Sequence, residues 1–119
     1  MFNKSTVLGL IAASAFIASQ VNAGDITGPN NHWDAVDART ADNYDIVFQG
    51  GRPAYVGISG DGDTDLDLQV FDRYGNEVCS STSRYDDEAC SFYPSRTSEY
   101  RVRVANLGHV YNEYQLVTN

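Results

Sequence analysis

The amino-acid sequence predicts an all-β protein: an antiparallel β-sandwich, jelly-roll-like, with about seven to eight strands. Three observations predict it. Short runs alternate apolar and polar side chains, most clearly Leu66, Leu68 and Val70 against Asp67 and Gln69, and Tyr100, Val102 and Val104 against Arg101 and Arg103. In an extended chain such alternation puts each set on its own face. Clusters of Gly, Pro, Asn and Asp separate the runs, and after residue 23 no segment shows the period of an amphipathic helix.

The elements follow in order. Residues 1–23 read as an export signal outside the fold. Lys4 supplies the positive start, Val7 to Ala18 an apolar run, and Val21-Asn22-Ala23 a small-residue cleavage site. The run is shorter than the ~20 apolar residues of a spanning helix, so the mature chain is expected to be secreted or periplasmic, with no membrane partner. Residues 24–43 read as a polar leader with an edge strand; within them HWDAVDAR (32–39) alternates only partly, and either pairs at an edge or covers the sheet with Trp33. Residues 44–119 form the sandwich. Strands are expected at 44–48, 54–58, 66–71, 77–81, 88–93, 99–104 and 111–117, with turns at Gly50-Gly51-Arg52-Pro53, Arg73-Tyr74-Gly75-Asn76 and 94–98.

Charge and cysteines narrow the class. Sixteen acidic residues outnumber eight basic ones, for a formal net charge of −8, which argues against a nucleic-acid or anionic-membrane partner. The two cysteines, Cys79 and Cys90, are expected to form a disulfide closing a hairpin, since an exported pair without CxxC spacing or a nearby histidine fits neither a redox nor a zinc site.

The run Gly60 to Phe71 (GDGDTDLDLQVF), the DRYGN after it, PSRT at 94–97, YRVRV at 100–104 and NEYQL at 112–116 together resemble the bacterial pre-peptidase C-terminal domain family. The resemblance covers 44–119. It implies a jelly-roll-like sandwich of the kind appended to secreted peptidases and related to the collagen-binding modules of clostridial collagenases. It also implies Ca²⁺ near the loop entering the DLDL strand, where Asp65 and Asp67 match the motif and Asp61 and Asp63 adjoin it. Relatives draw further acidic ligands from the preceding segment; Asp34, Asp37, Asp42 and Asp45 lie there, and no motif aligns them singly. The sandwich is expected to stand without an attached peptidase, so the expected partner is separate: a protein, an extracellular polymer or a secreted peptidase.

Residue chemistry leaves two readings of Asp61, Asp63, Asp65 and Asp67 open. Clustered carboxylates suit a hard cation such as Ca²⁺; Asp and Gly equally suit a solvated turn. The run is no EF-hand, because Leu66 stands at the invariant Gly position and Asp72 at the bidentate Glu. Catalysis has little support. Gly57-Ile58-Ser59-Gly60-Asp61 lacks one glycine of the GxSxG elbow, and His32 and His109, the only histidines, have no ligand spacing. Tyr55, Tyr74, Tyr85 and Tyr111 fall at turns or outward positions, either as a binding surface or as cover for the sandwich. Arg101 and Arg103 alternate outward on one strand, either as a solvated charged face or paired with a cross-strand acid such as Glu113. The expected protein is a monomeric, non-catalytic binding or accessory module, with Ca²⁺ at the Asp run as one of the two open readings. The alternatives are a purely structural, disulfide-stapled exported protein and, remotely, a minimal hydrolase.

Overall fold

The computed structural model describes Val7–Leu8 and residues 24–119. The export-signal reading, Val7–Leu8 apart, falls outside the described residues. Nine strands are present among the described residues: β1 Val7–Leu8, β2 Asn30–Val36, β3 Ala41–Phe48, β4 Ala54–Ser59, β5 Leu66–Phe71, β6 Glu77–Ser81, β7 Asp87–Phe92, β8 Ser98–Asn106 and β9 Asn112–Thr118. They form two sheets, β1-β3-β8-β5-β6 and β2-β9-β4-β7. Among these strands β1 alone pairs in parallel, beside β3. The rest is a set of nested antiparallel pairs, β2 with β9, β3 with β8, β4 with β7 and β5 with β6. One long hairpin wound so that its pairs alternate between sheets is the jelly-roll topology.

Alternation decides which side chains fill the space between the sheets. Tyr44, Ile46 and Phe48 of β3, Leu66, Leu68 and Val70 of β5, and Val102 and Val104 of β8 meet Val56 and Ile58 of β4 and Tyr114 and Leu116 of β9, all buried. Each large aliphatic side chain so removed from water stabilises the fold by ~1.5–3 kcal/mol. At the end where β3 stops, Phe48, Phe92 and Tyr100 pack edge-on or tilted, with centroids 4.9–6.0 Å apart.

Trp33 does not cover the sheet. β2 pairs with β9 along its whole length; Val36 faces the core, and Trp33 stands outward, 68% exposed. The segment ahead of β2 is pinned by Asp25, which is fully buried. Its carboxylate accepts hydrogen bonds from the Thr27 amide and hydroxyl, Asn30 Nδ2 and Thr118 Oγ1 at 2.7–3.1 Å, so a buried charge is satisfied without a cation.

Cys79 and Cys90 are bridged, but not across a hairpin. β6 is the edge of one sheet and β7 the edge of the other. The disulfide therefore staples the two layers along their open side, where Ser81 Oγ also donates to the buried Glu88.

Candidate functional site

Jelly-roll winding brings four loops to one end: 37–40, 60–65, 82–86 and 107–111. Backbone hydrogen bonds tie them together, from Asn106 N to Thr40 O, Gly60 N to Asp86 O and Leu107 N to Asp65 O, each at 2.9 Å. Arg39 Nη2 donates to His109 Nδ1 at 3.1 Å. The Gly/Asp loop lies in the middle of this end.

The structure divides the four sequence-predicted carboxylates. Asp61 is a turn residue: its oxygens accept from Asp63 N and Glu113 N at 3.1 and 3.0 Å, and its own amide donates to Asn112 Oδ1. Gly62 turns the loop at φ +89, a conformation costly for a side chain with a Cβ, and its amide donates to the buried Asp86. Asn112, fully buried, bonds Thr64 Oγ1 and Asp86 Oδ2 at 2.9 and 3.1 Å. Asp63 sits exposed at the tip.

Asp65 and Asp67 behave differently. Two apart in extended chain, they share the outer face of β5, and each has one carboxyl oxygen buried without a hydrogen-bond partner. Burial, then the charges of Asp65 and Glu88, push the Asp67 carboxyl above its ordinary range, with Arg103 opposing. A cation would relieve both conditions, and the orphaned oxygens are the donors it needs. Among the described residues no three acidic, His or Cys side chains gather closely enough to hold a metal. Within the acidic run, Asp65 and Asp67 are thus the two carboxylates left with an unpartnered buried oxygen.

The acidic residues of the preceding segment are engaged elsewhere. Asp34 and Asp42 receive the hydroxyls of Tyr44 and Tyr114 at 2.8 and 2.7 Å, and the two phenol oxygens lie 2.5 Å apart. Burial, reinforced by these carboxylates, raises both phenols far above their usual range. Asp45 pairs with Arg101 Nε and Nη2 at 2.9 and 3.1 Å. Arg103 Nη1 donates to Gln69 at 2.9 Å. Glu113 is thus no partner of either arginine, because β9 belongs to the opposite sheet. Asp37 is exposed on the 37–40 loop.

The histidines and the near-elbow serine stand in separate settings. His32 lies against Asp34 (3.6 Å) and edge-on to Tyr44, His109 against Arg39, and Ser59 Oγ donates to Asp87 at 2.9 Å. Tyr55, Tyr74, Tyr85 and Tyr111 are all exposed, as are Leu107 and Val110, which sequence reading missed. Their signal was the apolar character of 107–111 inside a turn.

No family model matches the chain, and no curated protein matches it in sequence. Solved structures share its shape. The pre-peptidase C-terminal domain of collagenase from Bacillus anthracis superposes with a TM-score of 0.61 at 8% identity, over 76% of this chain and 88% of that one. The periplasmic lysozyme inhibitor PliG of Aeromonas hydrophila does so with a TM-score of 0.54 at 9% identity, over 76% and 86%. The chain thus has the β-sandwich fold of a pre-peptidase C-terminal domain, a fold that a lysozyme inhibitor also adopts.

Proposed function

We propose that this chain is a small exported, non-catalytic jelly-roll module that acts by binding another macromolecule, a protein or an extracellular polymer, through its four-loop end. The observation that carries the reading is the collection of exposed Leu107, Val110, Tyr111 and Tyr85 on loops around the acidic run. Large apolar and aromatic side chains gathered on loops of a rigid sandwich mark interaction surfaces. The same fold serves a periplasmic lysozyme inhibitor, so it suffices for binding without catalysis. A secreted peptidase encoded separately is one partner of the right kind.

Cross-linking capture from periplasm and culture supernatant tests this, comparing wild type with a Leu107→Ser/Tyr111→Ser variant. A macromolecule enriched by wild type and lost by the variant is the expected result. The same material recovered by both would move the binding surface away from this end, and none recovered by either would return the chain to a purely structural role.

A second reading adds Ca²⁺ at Asp65 and Asp67, favoured by their buried, unpartnered oxygens. Ca²⁺ at 100 times its dissociation constant adds ~2.7 kcal/mol to a protein that binds it only when folded. Thermal unfolding in EDTA and in millimolar Ca²⁺ should differ by several degrees, and Asp65→Asn or Asp67→Asn should abolish the difference. Superimposable wild-type curves would remove the ion.

A further inference from the structure

We propose that the groove between β4 and the edge strand β7 receives a basic side chain, an arginine or lysine presented by a partner protein. The inference rests on the binding-module reading and adds the chemistry of one anchor point. The groove has a volume of about 350 Å³ and is lined by Tyr55, Ser59, Ser81, Asp87, Glu88 and Ala89 among others.

Its aromatic wall is built by a glycine. Tyr55 and Gly57 share the outer face of β4, and the Tyr55 ring lies down over Gly57. A Cβ there would meet the phenol oxygen at 2.6 Å and two ring carbons at 3.1 Å. The ring is thereby flattened onto the sheet while remaining 39% exposed, which leaves a π face turned to solvent. Ala89 lies opposite Gly57 on β7, so the floor beside the ring is low and apolar, suited to the aliphatic stem of a long cationic side chain.

Charge selects the head group. Asp87, on the same outer face as Tyr55, accepts from Ser59 Oγ at 2.9 Å, while Glu88, only 6% exposed, alternates to the inner face beside Ile58, where the hydroxyls of Ser81 and Ser83 hold it and its charge acts from behind the sheet. The Ser59 hydroxyl orients the Asp87 carboxylate in the groove without cancelling it. Ion pairs among the described residues are His32–Asp34 and Arg101–Asp45, so neither Asp87 nor Glu88 has one. Arg84, on the adjoining loop, is occupied by the Tyr85 ring at 5.3 Å. An open concavity with uncancelled negative charge and an aromatic face attracts a guanidinium or ammonium through both charge and ring quadrupole. A neutral sugar would gain the stacking but leave the charge unmet.

The test is an NMR titration of the oxidised protein with acetyl-Gly-Gly-Arg-Arg-Gly-Gly-amide and with the same peptide carrying citrulline, arginine's neutral isostere. Saturating shifts at the Tyr55, Ser59 and Ala89 amides with arginine, absent with citrulline, are expected. Asp87→Asn and Tyr55→Ala should each weaken binding ~5–10-fold, Tyr55→Phe should retain it, and Glu99→Gln on the opposite sheet should leave it unchanged. Equal binding of the citrulline peptide, shifts at the groove with maltohexaose alone, or an equal loss in Glu99→Gln would overturn the proposal. A macromolecule captured equally by wild type, Asp87→Asn and Tyr55→Ala would overturn the groove while leaving the module reading intact. Peptide binding with no captured partner would do the reverse.

Discussion

Asp67 shows how a single residue couples the fold to its site. Its carboxyl titrates above the ordinary 3.8, chiefly because it is buried and then because Asp65 and Glu88 are close. The folded chain therefore keeps this proton to a higher pH than the unfolded chain. The group favours folding in acid, and that contribution is lost as pH rises from the ordinary value through the raised one. In EDTA, Asp67→Asn should raise the melting temperature at pH 7 by a few degrees, a gain that disappears by about pH 3. A loss of stability at pH 7 in EDTA would show that the charge is compensated within the protein. Tyr114 offers a second test. Its hydroxyl donates to the buried Asp42 and touches Tyr44, so Tyr114→Phe should cost ~1–3 kcal/mol in chemical denaturation. The raised phenols also predict a sign: the unfolded chain ionises near pH 10 while the folded one does not, so stability falls as pH rises beyond that point. At this scale the sequence was partly readable. The DLDL alternation identified Asp65 and Asp67 as neighbours on one face, because strand period alone sets that. That Asp61 would instead grip the Glu113 amide depends on a residue far along the chain, which local pattern does not reveal. The same holds for Asp34, Asp42 and Asp45, whose tyrosine and arginine partners come from other strands.

Individual elements separate what pattern decides from what winding decides. β5 and β8 were legible because one face of each is fully buried and the other polar. β2 was legible only as one of two readings, the edge strand that it is, since Trp33, Ala35 and Val36 give no clear face and its orientation is fixed by pairing with β9. The cysteines were legible as a bridge, but their position was not. Adjacent strands joined by a short loop suggest a hairpin, whereas the jelly roll sends β6 and β7 to different sheets. The disulfide should therefore act as a staple between layers. Cys79→Ser/Cys90→Ser is expected to lose ~2–3 kcal/mol in denaturant unfolding, with hydrogen exchange rising first in β6 and β7. Uniform loss of protection over all strands would contradict a local staple. Gly60 belongs to the same scale. A Cβ there would lie 2.3 Å from Asp86 Oδ2, so Gly60→Ala should destabilise the 60–65 loop by ~1–3 kcal/mol, read as faster exchange of the Asp61 and Gly62 amides.

Across the whole molecule, a modest core and a rigid sandwich support loops whose exposed side chains add nothing to that core. Leu107, Val110, Tyr111 and Tyr85 cluster at one end because nested pairing returns every second connection there. No linear pattern announces that convergence, though the alternation and turn signals were enough to fix the fold class. The measurement that bears most directly on a binding role for this end is hydrogen exchange on the captured complex. Protection confined to 60–65, 82–86 and 107–111, extending to 87–89 if the β4/β7 groove is engaged, is the expected footprint. Protection at the opposite end, around 49–53, 72–76 and 93–97, with none on these loops would contradict it.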